Sequence, residues 1–309
     1  MVLRLCNKNK FKTIILLLGF IMTVQSAFPQ SNYSLLPASD KFNRSRFIGV
    51  VGVEAGLGLV SLIGLNKVWY IQYKHRHFHL FNDNKEWLQM DKMGHAFTSY
   101  TIGRFGYGLL RWSGVGEHEA MMYGGCLGLA YLSGIEVMDG FSDGWGFSKG
   151  DMLANTLGAA LFIGQQAAWN EQRFALLFSY HPSTYAPMRP EILGSNFLER
   201  IIKDYNGQTY WLTANIHSLL HGHDQFPAYI DASFGYGAEG MISGFESNDH
   251  VETISRYRKY FLSASLNPGG FNYSNNLGRA LAYPLSIFKV PAPALAYKQK
   301  KLYFKPLWF

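Results

Sequence analysis

Charge is scarce in this chain. Of its 309 residues, 16% are Asp, Glu, Lys or Arg, against about 25% in an average soluble protein, and aromatic residues are equally frequent. Such a composition leaves much surface that does not face water. Cysteine is scarcer still, with Cys6 and Cys126 only. Once an exported leader is removed, Cys126 stands alone, which excludes an intrachain disulfide even in an oxidising compartment. The basic excess is mostly the leader's. The formal charge of +7 includes Arg4, Lys8, Lys10 and Lys12, and without them 24 basic residues face 21 acidic ones. Nothing in that balance marks a nucleic-acid partner. A serine nucleophile elbow, a phosphate-cradling loop and a cysteine nucleophile pattern are also missing.

What is present begins with that leader. Four basic residues precede an apolar run from Ile14 to Val24, and small residues follow at Ser26 and Ala27. These are the parts of a secretory signal peptide. The run is shorter than the roughly 20 residues a bilayer span takes, so residues 1–26 are expected to be removed. Cys6 precedes the run, whereas a lipid-anchored cysteine stands just after one; no lipoprotein cysteine is visible.

The remainder has two textures. Residues 27–170 carry apolar runs at Phe47 to Leu65, Ala120 to Met138 and Met152 to Trp169, with a more polar helical stretch from Asp91 to Trp112. Three of these four helices are long enough to lie in or across a membrane. Small residues four apart, as in Gly52/Gly56, Gly124/Gly128 and Ala154/Gly158, let helix backbones approach closely. Residues 171–309 are aromatic-rich and broken by turn formers. Tyr229 to Tyr236, Tyr257 to Leu266 and Leu302 to Phe309 alternate as strands do, and Pro268, Gly269 and Gly270 mark a turn. The expected architecture is mainly α: a four-helix membrane-associated bundle followed by a smaller aromatic-rich α+β region with short antiparallel strands.

Polar residues inside the apolar half point to a site. Asp91 and His95 share a helix face, extended by Ser99. Glu136 and Asp139 end the next helix; Ser148 stands at capping distance from Asp151, and Asn155 follows one turn later. Charged groups in low dielectric need partners or a water-filled pocket, so Asp91, Lys92, His95, Glu136, Asp139, Ser148, Asp151 and Asn155 are expected to converge. Lys92 or Arg104 would neutralise the carboxylates. Asp91, His95, Glu136 and Asp139 would suit a divalent metal such as Zn, Mn or Mg, but Asp-x-x-x-His is much less specific than His-Glu-x-x-His, and a structural network is favoured over a metal.

Other patterns carry less. Gly235, Gly237 and Gly240 fit Gly-x-Gly-x-x-Gly, but no strand-helix-strand unit follows, and turn glycines are the better reading. His75, His77 and His79 read as a wet basic loop at a membrane surface. His217, His221 and His223 near Asp224 are suggestive by composition only.

The order Asp91-Lys92-x-x-His95, Glu136, Asp139, Ser148-x-x-Asp151-x-x-Ala154-Asn155-x-x-Gly158 resembles the YfiM-like family of uncharacterised exported proteins over about residues 88–165. It is also similar in order to VanZ-like membrane proteins. Phe234 to Met241 and Lys289 to Pro293 look like longer, Bacteroidetes-type members. The resemblance implies an envelope location and an important polar cluster, and no established reaction. Two functions stay open. One is a non-enzymatic, membrane-associated envelope module whose cluster grips a lipid or glycan headgroup or serves structure only. The other is a metal-dependent membrane hydrolase or transferase acting on a lipid-linked phosphate or glycan.

Overall fold

The computed structural model describes residues 35–67, 73–220, 226–245, 254–271, 273 and 275–308. The leader with its cleavage point, and His221, His223 and Asp224, lie outside them.

Helix α1, Arg44–Leu65, starts where Asn43 accepts a hydrogen bond from the Arg46 N–H at 3.0 Å. Helix α2, Met90–Trp112, ends at Ser113 and Gly114, the latter at φ +83. Gly114 is required there, because a side chain would collide with the carbonyl of Lys41 as the chain leading into α1 passes over it. Helix α3 covers Glu117–Gly140 and contains a π-turn at Ala120–Gly124. Helix α4, Lys149–Trp169, is capped by Ser148, whose hydroxyl accepts from the Asp151 N–H at 3.0 Å.

Helices α2, α3 and α4 pack with their backbones nearly touching. A Cβ at Gly128 would stand 2.2 Å from the Ser99 carbonyl oxygen, one at Gly158 2.2 Å from that of Ala96, and one at Gly124 2.3 Å from the Tyr107 nitrogen. The π-turn falls where Gly124 is pressed against α2, and such turns mark local constraint. Tyr100, Tyr107, Leu110 and Phe162 fill the apolar core beside these crossings.

Before α2, strand β1 (Leu80–Phe81) pairs in parallel with β2 (Phe147–Ser148). Six further strands form one antiparallel meander in chain order: β3 Phe174–Tyr180, β4 Gln208–Asn215, β5 Ile230–Glu239, β6 Tyr257–Leu266, β7 Ala292–Lys298 and β8 Lys301–Trp308. Trp211 is fully buried on its inner face against Phe261, Leu177 and Ala296.

This sheet overturns the expected mainly α, four-helix bundle with a minor strand region. The expectation failed because the strands are polar where a core strand is apolar. In β5 the inward series is Asp231, Ser233, Gly235 and Gly237, all buried, while Ala232 and Phe234 face outward. Gly235 and Gly237 are therefore strand residues, not turn residues: a Cβ at Gly235 would stand 2.7 Å from the Trp211 ring. Only Gly240, at φ +82, ends the strand.

The membrane reading of the helices also changes. Two described helices are long and apolar enough to cross a membrane, α1 and α3, and α4 is not one of them. Helix α3 packs against α2 and α4 along one side and leaves Met122, Tyr123 and Val137 exposed. Helix α1 is nearly bare, with Ile48, Val53, Leu57, Leu59 and Val60 exposed. Its Gly52 and Gly56 have no atom within 4 Å of a Cβ, so close packing does not account for them.

Candidate functional site

Three consecutive residues before α2, Trp87, Leu88 and Gln89, are left-handed, at φ 47, 49 and 64. That conformation costs an L-residue roughly 1–2 kcal/mol, and it is held from several sides. The Trp87 N–H donates to the Gly244 carbonyl at 3.0 Å, the Tyr236 hydroxyl to the Leu88 carbonyl, and Arg258 to Gln89 Oε1 at 2.7 Å. The distortion delivers Trp87 to a cleft and starts α2 with Asp91 and Lys92 pointing at α4.

Lys92 is the hub. Its ammonium, 7% exposed, lies 2.7 Å from Asp83, 2.9 Å from Asp151 and 3.7 Å from Asp91. Ser148 ties this group to α3: its hydroxyl donates to Asp83 at 2.6 Å and its N–H to Glu136 Oε2 at 3.0 Å. His95 Nδ1 stands 3.0 Å from Asn155 Oδ1, while its Nε2 faces Asp91 and Glu136, each at 3.8 Å. The Ser99 hydroxyl donates to the Asn155 carbonyl at 2.7 Å, and Tyr205, from the segment before β4, donates to Asp91 at 2.7 Å.

The carboxyls outnumber the cations, and burial makes that costly. Burial pushes Glu136 up to about 8. Asp151 rises to about 9, through burial first and then the nearby charge of Asp91, against the pull of Lys92. Burial also lifts Glu86 to about 7. Burial acts on Asp83 in the same direction, but hydrogen bonds with Asp151, Lys92 and Ser148 outweigh it and hold Asp83 below its ordinary value. Burial thus favours the protonated forms of Glu136, Asp151 and Glu86, while hydrogen bonds favour the ionised form of Asp83.

Above the cluster opens a cleft of about 450 Å³. Asp83, Glu86, Asp91, His95, Glu136, Asp139 and Asp151 form its polar wall, and Trp87, Trp145, Tyr205, Tyr210 and Phe97 its aromatic one.

Asp91, Lys92, His95, Glu136, Ser148, Asp151 and Asn155 thus meet in one network, and Asp139 lines the same cleft. Arg104 does not take part: it donates to the Ser286 carbonyl at 3.1 Å and lies over Tyr283. Of the four residues named for a metal, only Asp91 and His95 fall in the close grouping found among the described residues, and Asp151 joins them in place of Glu136 and Asp139: the ligand atoms of Asp91, His95 and Asp151 lie within 4.8 Å of one another. The segment with His75, His77 and His79 is not a free loop. Its backbone pairs with residues 140–147, the His79 N–H donating to Gly140 and the Asp143 N–H to Lys74. His217 contacts the Phe226 carbonyl at 2.9 Å through Nδ1.

Asp83, Glu86, Trp87 and Tyr205 were not anticipated. One signal did exist: Lys92 has no acidic residue three or four positions away on its own helix, so a lysine at that buried turn requires a carboxylate from elsewhere.

The described residues thus set a bare apolar helix beside an acidic, aromatic-walled cleft between helices and sheet. Residues 79–164 match the family described as "Predicted periplasmic lipoprotein (DUF2279)". That stretch runs from β1 through most of α4 and contains Asp83 to Asn155. The chain is accordingly exported, membrane-associated and located in the cell envelope. The match does not extend to the YfiM-like or VanZ-like assignments. No curated protein and no solved structure matches the chain.

Proposed function

We propose that the cleft binds a neutral, hydroxyl-rich headgroup, a sugar carried on a lipid or in a free envelope glycan. The observation behind this reading is a polar wall of carboxyl groups around Lys92, set beside indole and phenol rings. The carboxyls of Asp91, Glu136 and Asp139 and the Tyr205 hydroxyl suit a ligand rich in hydroxyl groups, and Trp87 and Trp145 bring apolar rings for a sugar to lie against. A phosphate would bring a further negative charge into a site short of cations, which favours the neutral ligand. Titrating the full chain with amino-sugar oligosaccharides, a glycolipid in detergent, and inorganic phosphate tests it. Indole fluorescence should respond to the oligosaccharide, or to the glycolipid alone if a lipid carries the sugar, and Trp87→Ala should weaken the response about tenfold. A response to phosphate alone would overturn the proposal.

One observation favours a second reading. His95 with Nδ1 on Asn155 and Nε2 turned to Asp91 and Glu136 has the orientation of a metal-binding imidazole steadied by its other nitrogen. Asp91, His95 and Asp151 would hold the ion, which would polarise a bound oxygen. Asp151 is also engaged by Lys92 at 2.9 Å, so an ion there would compete with the lysine. Stoichiometric Zn or Mn in the purified protein, lost in His95→Ala, would favour this reading over the metal-free one.

A further inference from the structure

One face of the six-stranded sheet is covered by helices at one end only. Register aligns Leu176, Leu212, Phe234, Leu262, Leu295 and Phe304 in a single row across all six strands. Two residues along, Phe178, Tyr210, Tyr236, Tyr260, Tyr297 and Leu302 form the neighbouring row. Over β3 and β4 the face is occupied, with Phe97 of α2 against Phe178 and Tyr210. Further along it is bare: Phe234 is 50% exposed, Leu262 57% and Phe304 65%. The opposite face is buried and mixes Ser233, Ser265 and Lys259 with the apolar core of Trp211, Phe261, Leu177 and Ala296. An outer face this apolar departs from a sheet whose second face is in water.

The bare face is also graded. Along the strands apolar side chains come first, then tyrosines, and then the exposed Lys300 and Lys301 at the tip of the β7–β8 hairpin, whereas Lys298 pairs with Lys259 of the opposite face and Arg258 is taken up by Gln89 and Tyr236. The hairpin holds Gln299 and Lys300 at φ 48 and 62, a conformation that two-residue hairpins ordinarily give to Asn and Gly. Hydrocarbon, amphipathic ring and positive charge in that order repeat the profile of a membrane interface with anionic headgroups.

We propose that the outer face of β5–β8 docks on an anionic lipid bilayer. Phe234, Leu262, Leu295 and Phe304 enter the acyl region, Tyr260 and Tyr297 lie at headgroup depth, and Lys300 with Lys301 at the hairpin tip meets the phosphates. The docked surface is distinct from helix α1 and from the cleft, and does not depend on the cleft's ligand.

The test uses the full chain with Cys6 and Cys126 replaced by Ser and a polarity-sensitive fluorophore on Leu262→Cys, with Glu191→Cys as a solvent-exposed control. On vesicles containing phosphatidylglycerol, the label at 262 should shift blue and be quenched by brominated acyl chains, and the label at 191 should not. Phe234→Asp should cut partitioning about tenfold, the worth of one buried aromatic side chain. Lys300→Glu with Lys301→Glu should weaken binding to anionic vesicles and leave binding to pure phosphatidylcholine unchanged. Circular dichroism confirms the fold of each variant. A label at 262 that stays in water while the chain is vesicle-bound would overturn the proposal. So would a blue shift that depends on protein concentration without vesicles, which would assign the face to a second copy.

Discussion

Lys289 stands where water cannot reach it. Its ammonium lies over the Trp211 ring, 4.9 Å from the centroid, and donates to Ser263 Oγ, Ala264 O and Val290 O. Burial lowers its pKa to about 8, and among the described residues no carboxylate partner offsets that loss. The sign of the consequence follows from proton counting. Between pH 8 and 10.5 the unfolded chain holds a proton that the folded chain has released, so stability rises with pH there; below pH 8 the burial penalty is present in full. Urea titrations should therefore show the parent gaining about 1–2 kcal/mol on Lys289→Met between pH 8 and 10, and parallel curves would contradict this. At this scale the sequence was informative where spacing constrains it. Asp91 with His95, and Asp151 with Asn155, share helix faces by periodicity alone. Asp83, Glu86 and Tyr205 were invisible because loop residues obey no period, and only tertiary packing brings them to Lys92.

Elements differ in what their glycines do. Gly128 and Gly158 let α3 and α4 meet α2 at backbone distance, whereas Gly52, Gly56 and Gly58 of α1 touch nothing. Gly158→Ala should cost about 1–3 kcal/mol as the helices are pushed apart. Gly56→Ala should be neutral or stabilising by up to about 1 kcal/mol through helix propensity. Thermal unfolding of the two variants checks the contrast, and equal shifts would refute it. The helices were legible in outline because apolar period and capping agree, as at Ser148. The sheet was underestimated because its strands point polar and glycine side inward and aromatic side outward. An alternation read for a buried apolar face misses a strand built the other way round.

Across the whole molecule, helices and sheet are clamped by contacts between distant parts of the chain. Tyr205 reaches Asp91, Tyr236 reaches Leu88, Arg258 reaches Gln89, and Arg104 reaches Ser286. A fragment ending at residue 170 lacks every partner in these pairs that lies beyond it. Limited proteolysis should cut such a fragment near Trp87 to Gln89 while the full chain resists, and equal resistance would show that the helices hold the left-handed stretch unaided. The change of texture near residue 170 falls between α4, which ends at Trp169, and β3, which begins at Phe174; the clamping was not legible, because no local pattern encodes a contact more than a hundred residues away. That separation also sets an order of events. An exported chain emerges N-terminus first, so the carboxyls around Lys92 are delivered well before Tyr205, Tyr236 and Arg258. Contacts of such long range form late and slowly, and until they do the half-built acidic cleft and the bare apolar helix lie open together, the state in which a newly translocated chain most needs a holding chaperone.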